Sequence, residues 1–178
     1  MDDAIKSAFE EAFSHFLHRE RNNIVSGVSE RNLCGRLAVI LEGLRMSFGF
    51  DSYYADTEYD RKQGGKIKTI LDDEMKVISI TCDLIFHSRG ELKRDNLLAL
   101  EMKKAYRPEA DKIRDRDRLR AMTKASYDEV WSSDGETDPE HVCGYELGIF
   151  VELNAEEAAF KIEEFRGGKL VAARSGNF

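Results

Sequence analysis

Asp83 lies in the run Thr81-Cys-Asp-Leu-Ile-Phe86, and Glu101 and Lys103 lie in Leu97-Leu-Ala-Leu-Glu-Met-Lys103. Both runs are apolar and strand-like, so each carboxylate would have to leave water unless something positive offsets the cost. A divalent metal is the usual partner, and a hard ion such as Mg²⁺ or Mn²⁺ takes carboxylate oxygens, carbonyls and waters. Phosphodiester hydrolysis needs what such an ion supplies: an activated water, compensation of charge on the phosphoryl oxygens, and help for the leaving alkoxide. On a strand, Glu101 and Lys103 point to one face and Lys104 to the other. With a free pKa near about 10.4, Lys103 suits an electrostatic role better than that of a base.

Other residues could join this group. Glu30 opens a helical stripe with Leu33, Leu37 and Leu41, which turns its carboxylate toward the packed side; an acid is also simply favourable in the first turn of a helix. Glu58 could add an acid at the edge, and Tyr59 and Arg61 could meet phosphate or base, or all three could be ordinary surface groups at a strand end. His87, alone at a strand end, reads as structural. Between Lys103 and Lys124 nine Lys or Arg face four acids, a net of +5 that leaves −12 for the rest of a chain of net charge −7. Such a run is either a solvated, salt-bridged helix or a phosphate-binding surface, on which Arg118 and Lys124 could line the substrate path.

These positions need a frame to hold them. Residues 4 to 17 carry Ile5, Ala8, Phe9, Ala12, Phe13, Phe16 and Leu17 at helical spacing, with Asn22 and Asn23 as punctuation. A second helix is predicted from Ser29 or Glu30 to Leu44, with Ser29 as its N-cap and Gly49 beyond its end. Strands are predicted over 53 to 59, 76 to 87, 97 to 102 and 145 to 153, with a turn at Gly64-Gly65 and a polar loop from Ser132 to Pro139. Pro108 starts a helix over 109 to 123 whose apolar positions, Ile113, Leu119 and Met122, share no clean face. Gly167-Gly168 predicts a terminal hairpin.

At 178 residues the chain reads as one domain, able to bury roughly 70% of its unfolded surface. It divides into N-terminal helices (1–45), a core from about 50 to 153 and a C-terminal hairpin from about 158 to 174. Three scattered cysteines, Cys34, Cys82 and Cys143, form no zinc or disulfide pattern and read as reduced thiols of a cytoplasmic protein. Met1-Asp-Asp-Ala-Ile-Lys6 does not lead into an apolar segment, and no apolar run approaches the roughly 20 residues that span a bilayer. Neither secretion nor a membrane partner is expected.

An acid on one strand followed by Glu-x-Lys on the next, as in Asp83, Glu101 and Lys103, resembles the PD-(D/E)XK phosphodiesterase superfamily. The likeness runs from about Glu30 to Thr123, with Cys82 where proline often precedes the metal-binding acid. It implies an α/β fold, a central mixed β-sheet flanked by helices with a restriction-endonuclease-like core. It also implies a Mg²⁺- or Mn²⁺-dependent nuclease acting on DNA or RNA. Asp83, Glu101 and the backbone carbonyl of Met102 would hold the metal, Lys103 would stabilise charge, and Glu30 would be a supporting acid on the preceding helix. A non-catalytic module binding nucleic acid or protein, or a hydrolase of a small phosphate ester, are the alternatives. A homodimer is compatible with all three.

Overall fold

The computed structural model describes residues 3–58, 69–71, 77–79, 81–125 and 143–178. The first apolar stripe forms α1 (Ala4–Val25), capped by the Asp3 carboxylate, which accepts from Lys6 N at 3.4 Å. Its phenylalanines stack in series, with ring centres 5.6 Å apart for Phe9 and Phe13 and 5.8 Å for Phe13 and Phe16. The helix runs on through Asn22 and Asn23, where the sequence predicts a stop. Burial of Ile24 outweighs the poor helix propensity of asparagine, and Asn23 is put to use, donating at 2.6 Å to the buried Glu20, which also pairs with Arg36 of the next helix. The chain turns instead at Gly27, where φ is +82°. Ser29 then caps α2 (Glu30–Leu44) through Asn32 N, as expected.

Among the described residues eight strands precede or follow α3 (Glu109–Met122): β1 (Tyr54–Asp56), β2 (Thr69–Leu71), β3 (Val77–Ser79), β4 (Leu84–His87), β5 (Asn96–Lys104), β6 (Leu147–Asn154), β7 (Ala159–Arg166) and β8 (Lys169–Asn177). Six form one mixed sheet in the order β1-β4-β5-β6-β7-β8, in which β5 and β6 are parallel and the other neighbours antiparallel. Helices and this mixed sheet make an α/β arrangement. The hairpin at Gly167-Gly168 is present, both glycines at positive φ. Gly64-Gly65 and the loop Ser132 to Pro139 lie outside the described residues.

In the stretch 76 to 87, predicted as one strand, the described residues form two. β3 pairs with β2 in a separate two-stranded ladder, and β4 begins only after Asp83. Side chains explain the break. The Asp83 carboxylate accepts from Met102 N at 2.9 Å, and the Cys82 thiol donates to Leu100 O at 3.1 Å. These side chains serve β5 backbone groups that a longer β4 would have bonded. Of the first predicted strand, 53 to 59, the described residues form β1 alone, where pairing with β4 covers Tyr54 to Asp56; residue 59 lies outside the described residues.

β5 is covered on both faces. Leu98, Leu100 and Met102 join the core under α1 and α2, with Phe13, Leu33 and Leu37. Ala99 faces a smaller core beneath α3, with Leu119, Met122, Phe150 and Phe165. Among the described residues no helix is long and apolar enough to cross a membrane. α3 reaches the sheet over Gly148, where an added Cβ would meet Thr123 Cγ2 at 2.9 Å and Phe165 Cβ at 3.2 Å. Gly148→Ala is therefore expected to lower stability by about 1–3 kcal/mol through overpacking; urea unfolding measures it, and an unchanged midpoint would show that α3 packs elsewhere.

Candidate functional site

The β4–β5 register pairs Leu84 with Leu100, so one residue further on Asp83 stands opposite Glu101. Both side chains leave the sheet on the side of α3. Glu101 is fully buried, and its Oε1 accepts from Arg118 Nη1 at 2.5 Å. Its other oxygen, Oε2, is buried with no hydrogen-bond donor. Asp83 is partly open to solvent and holds Met102 N.

Lys103 shares the face of Glu101. Its ammonium lies 3.5 Å from Asp83 Oδ2, 3.4 Å from the Met102 carbonyl and 2.8 Å from Asp115 Oδ2. The last is a charge contact off the hydrogen-bond axis, so Asp115 Oδ2 is ion-paired yet has no directed donor. Burial alone would lower the Lys103 pKa, but the charges of Asp83 and Asp115 outweigh it and raise the pKa, keeping the ammonium protonated. Lys104 points to the opposite face, where its ammonium donates to Gly27 O at 2.7 Å.

Asp115 was not singled out by sequence. α3 has no apolar stripe to follow: its buried positions are Lys112, Asp115, Leu119 and Met122, with charges on the first two, while Ile113 is exposed. The helical spacing of these four is the signal that would have found it. Asp115 also takes Arg118 Nη1 at 3.3 Å, so one guanidinium serves two acids.

Glu30 reaches the same region from α2. It accepts from Lys104 N at 2.9 Å and from Arg107 Nε and Nη2 at 2.9 and 2.8 Å. Burial opposes its ionisation, but the Arg107 and Lys104 hydrogen bonds win and hold its pKa below the usual value. It thus braces α2 against the end of β5. Glu30, Lys103, Arg107, Asp111, Arg114, Asp115 and Arg118 line an open, polar pocket of about 410 Å³.

The remaining sequence candidates divide. Glu58 is at the edge of the group: its N–H donates to Cys82 O at 3.2 Å, and its carboxylate pairs with Arg31 at 2.8 Å. Lys124 is not part of the pocket lining; its stem lies against the β7–β8 turn at Gly168. His87 is buried with Nε2 3.0 Å from Asp56, whose carboxylate also takes Arg89, a structural tie between β1 and β4. Tyr59 and Arg61 lie outside the described residues. Cys34, one turn along α2 from Glu30, has its thiol pushed up by burial and by the fields of Asp83 and Glu101.

Asp83, Glu101, Asp115 and Glu30 bring four carboxylates against three cations, Lys103, Arg107 and Arg118. The imbalance falls on Glu101 Oε2. A cation is one group that would answer that oxygen, and Asp83 stands opposite it across the ladder, although among the described residues no three His, Cys, Asp or Glu side chains gather to hold a metal ion. Without such a cation, burial and then the charge of Asp83 push the Glu101 carboxyl well above the usual carboxylate range.

Comparison with protein-family models and with curated proteins finds no match to this chain. The raised Glu101 carboxyl yields its own test. The folded chain keeps this proton at pH values where the unfolded chain has released it, so stability present at low pH is lost as pH rises through the raised value. In chelator, the parent should lose at least about 1 kcal/mol relative to Glu101→Gln between about pH 5 and about pH 8. Urea unfolding across that range measures both proteins, and parallel curves would rule out a charge-penalised Glu101.

Proposed function

We propose that the chain is a divalent-metal-dependent phosphodiesterase that cuts DNA or RNA, built on a restriction-endonuclease-like core. The observation that carries this reading is the donorless oxygen of the buried Glu101, directly across the β4–β5 ladder from Asp83. A carboxylate so placed is destabilising unless a cation or proton answers it. Asp83, Glu101 and the Met102 carbonyl would hold Mg²⁺ or Mn²⁺. When bound, the ion would supply an activated water and charge compensation at the phosphoryl group.

The chain's own residues do the rest. Lys103, held protonated between Asp83 and Asp115, presents positive charge to the pocket, where it can hold an attacking water or a phosphate oxygen and stabilise charge that develops in the transition state. Asp115 holds the ammonium at 2.8 Å, closer than Asp83 at 3.5 Å. Arg107, Arg114 and Arg118 line the same pocket and suit the phosphates of a nucleic-acid backbone.

A second reading has its own support. Arg118 already sits 2.5 Å from Glu101, and Arg107 grips Glu30 with two nitrogens. A non-catalytic module on this fold would neutralise its acids internally in that way. Heating curves distinguish the two: Mg²⁺ raises the Tm of the parent if a cation takes up Glu101, and leaves it unchanged if Arg118 is the permanent partner.

Labelled DNA and RNA incubated with Mg²⁺, Mn²⁺ or chelator test the activity. The parent should cut at least one of them only when metal is present. Asp83→Ala and Glu101→Gln should fall to background, and Lys103→Ala should lose about 100-fold or more in rate. Cutting that survives all three substitutions would sink the site assignment.

A further inference from the structure

The chain from Lys103 to Arg107 is a partition between two pockets. Lys103 and Arg107 face the polar one, whereas Lys104, Ala105 and Tyr106 face a second cavity of about 390 Å³. This second cavity opens at the carboxyl ends of the parallel pair β5 and β6, where Ala105 N donates to Leu153 O at 2.8 Å. Its volume lies in the range of roughly 300–1,000 Å³ typical of ligand sites, and carboxyl ends of parallel strands are where α/β sheets place their ligands.

Its lining is mostly apolar, with Lys104 as its one cation and Glu156 as its one acid. Ile24, Leu33 and Leu153 give buried aliphatic surface, and Asn154 adds a polar edge. Tyr106 stands at the rim with 75% of its surface exposed, unusual for a ring that the fold could have covered. Two cations lie over the ring, the Arg107 guanidinium at 5.7 Å and the Lys104 ammonium at 5.9 Å from its centre; Arg107 is also held by Glu30 and Lys104 by Gly27 O. An aromatic face beside positive charge is how proteins hold single-stranded nucleic acid, the base on the ring and the phosphate on the cation.

We infer that this cavity takes an unpaired nucleobase of the substrate strand, stacked on Tyr106, while the neighbouring phosphates run past Arg107 into the polar pocket. The inference rests on the nuclease reading and adds a substrate class to it: single strands, or ends that fray. A base held in a duplex can reach Tyr106 only by leaving its stack. Arg107 links the two pockets, since its guanidinium pairs with Glu30 and lies 5.7 Å from the Tyr106 ring centre.

Fluorescence anisotropy of a labelled 12-nucleotide single strand and of its blunt duplex, in Ca²⁺ at fixed salt, tests it. Tyr106→Ala should weaken binding of the single strand about tenfold, and leave the duplex within about twofold. Tyr106→Phe, which keeps the ring, should match the parent on both. A strand with one abasic position at the stacked nucleotide should bind parent and Tyr106→Ala alike. Equal single-strand affinity in parent and Tyr106→Ala, or an equal loss on the duplex, would overturn the base site. Cleavage that depends on Asp83 and Glu101 but ignores Tyr106 would remove the base site and leave the nuclease. A parent that binds neither nucleic acid would overturn the base site, and absence of metal-dependent cleavage would separately remove the nuclease.

Discussion

Glu101 leaves the middle of a strand that has neighbours on both sides and helices over both faces, so its charge cannot reach water. Much of the surrounding arrangement follows from the need to answer that charge. α3 turns the Arg118 guanidinium toward Glu101, and two of its four buried positions, Lys112 and Asp115, carry charged side chains. Arg118 brings Asp115 with it, Asp115 requires Lys103, and Lys103 in turn steadies Asp83 at the point where β4 begins. The close seat of α3 on Gly148 is what allows these contacts to be short.

The two faces of β5 separate the larger apolar core from the charged cluster with a period of two residues. Leu98, Leu100 and Met102 anchor the strand beneath α1 and α2, and Glu101 and Lys103 use the rigidity gained on the other side. α2 contributes to both: Leu33, Leu37 and Leu41 fill the core, while Glu30 in its first turn satisfies Lys104 N and holds Arg107. A site on a central strand with this support needs few loop contacts to hold its geometry.

Much of this was legible in the chain. Strand parity placed Glu101 and Lys103 on one face, and the phenylalanine stripe of α1 and the Ser29 cap of α2 marked their helices through ordinary periodicity and capping. What escaped did so for physical reasons. Residues 76 to 87 read as one β-prone run, and among the described residues the side-chain hydrogen bonds of Cys82 and Asp83 to β5 mark where β4 starts. Asp115 was hidden because the inward stripe of α3 is charged where a periodicity search looks for apolar residues. Asn22 and Asn23 looked like a stop because their propensity is local, whereas the burial of Ile24 and the satisfaction of Glu20 are tertiary.

Arg118 divides one guanidinium between Glu101 and Asp115, and Lys103 divides one ammonium between Asp115 and Asp83. The four carboxylate contacts therefore form a single chain of shared partners, and no member has an energy of its own. Removing a link strands its neighbours, while removing an acid and its cation together relieves the strain the first loss creates. The identity of each of these residues is thus conditional on the others, and the cluster is open to change mainly in matched pairs, the route by which a lineage could retune or retire the site without passing through an unfolded intermediate.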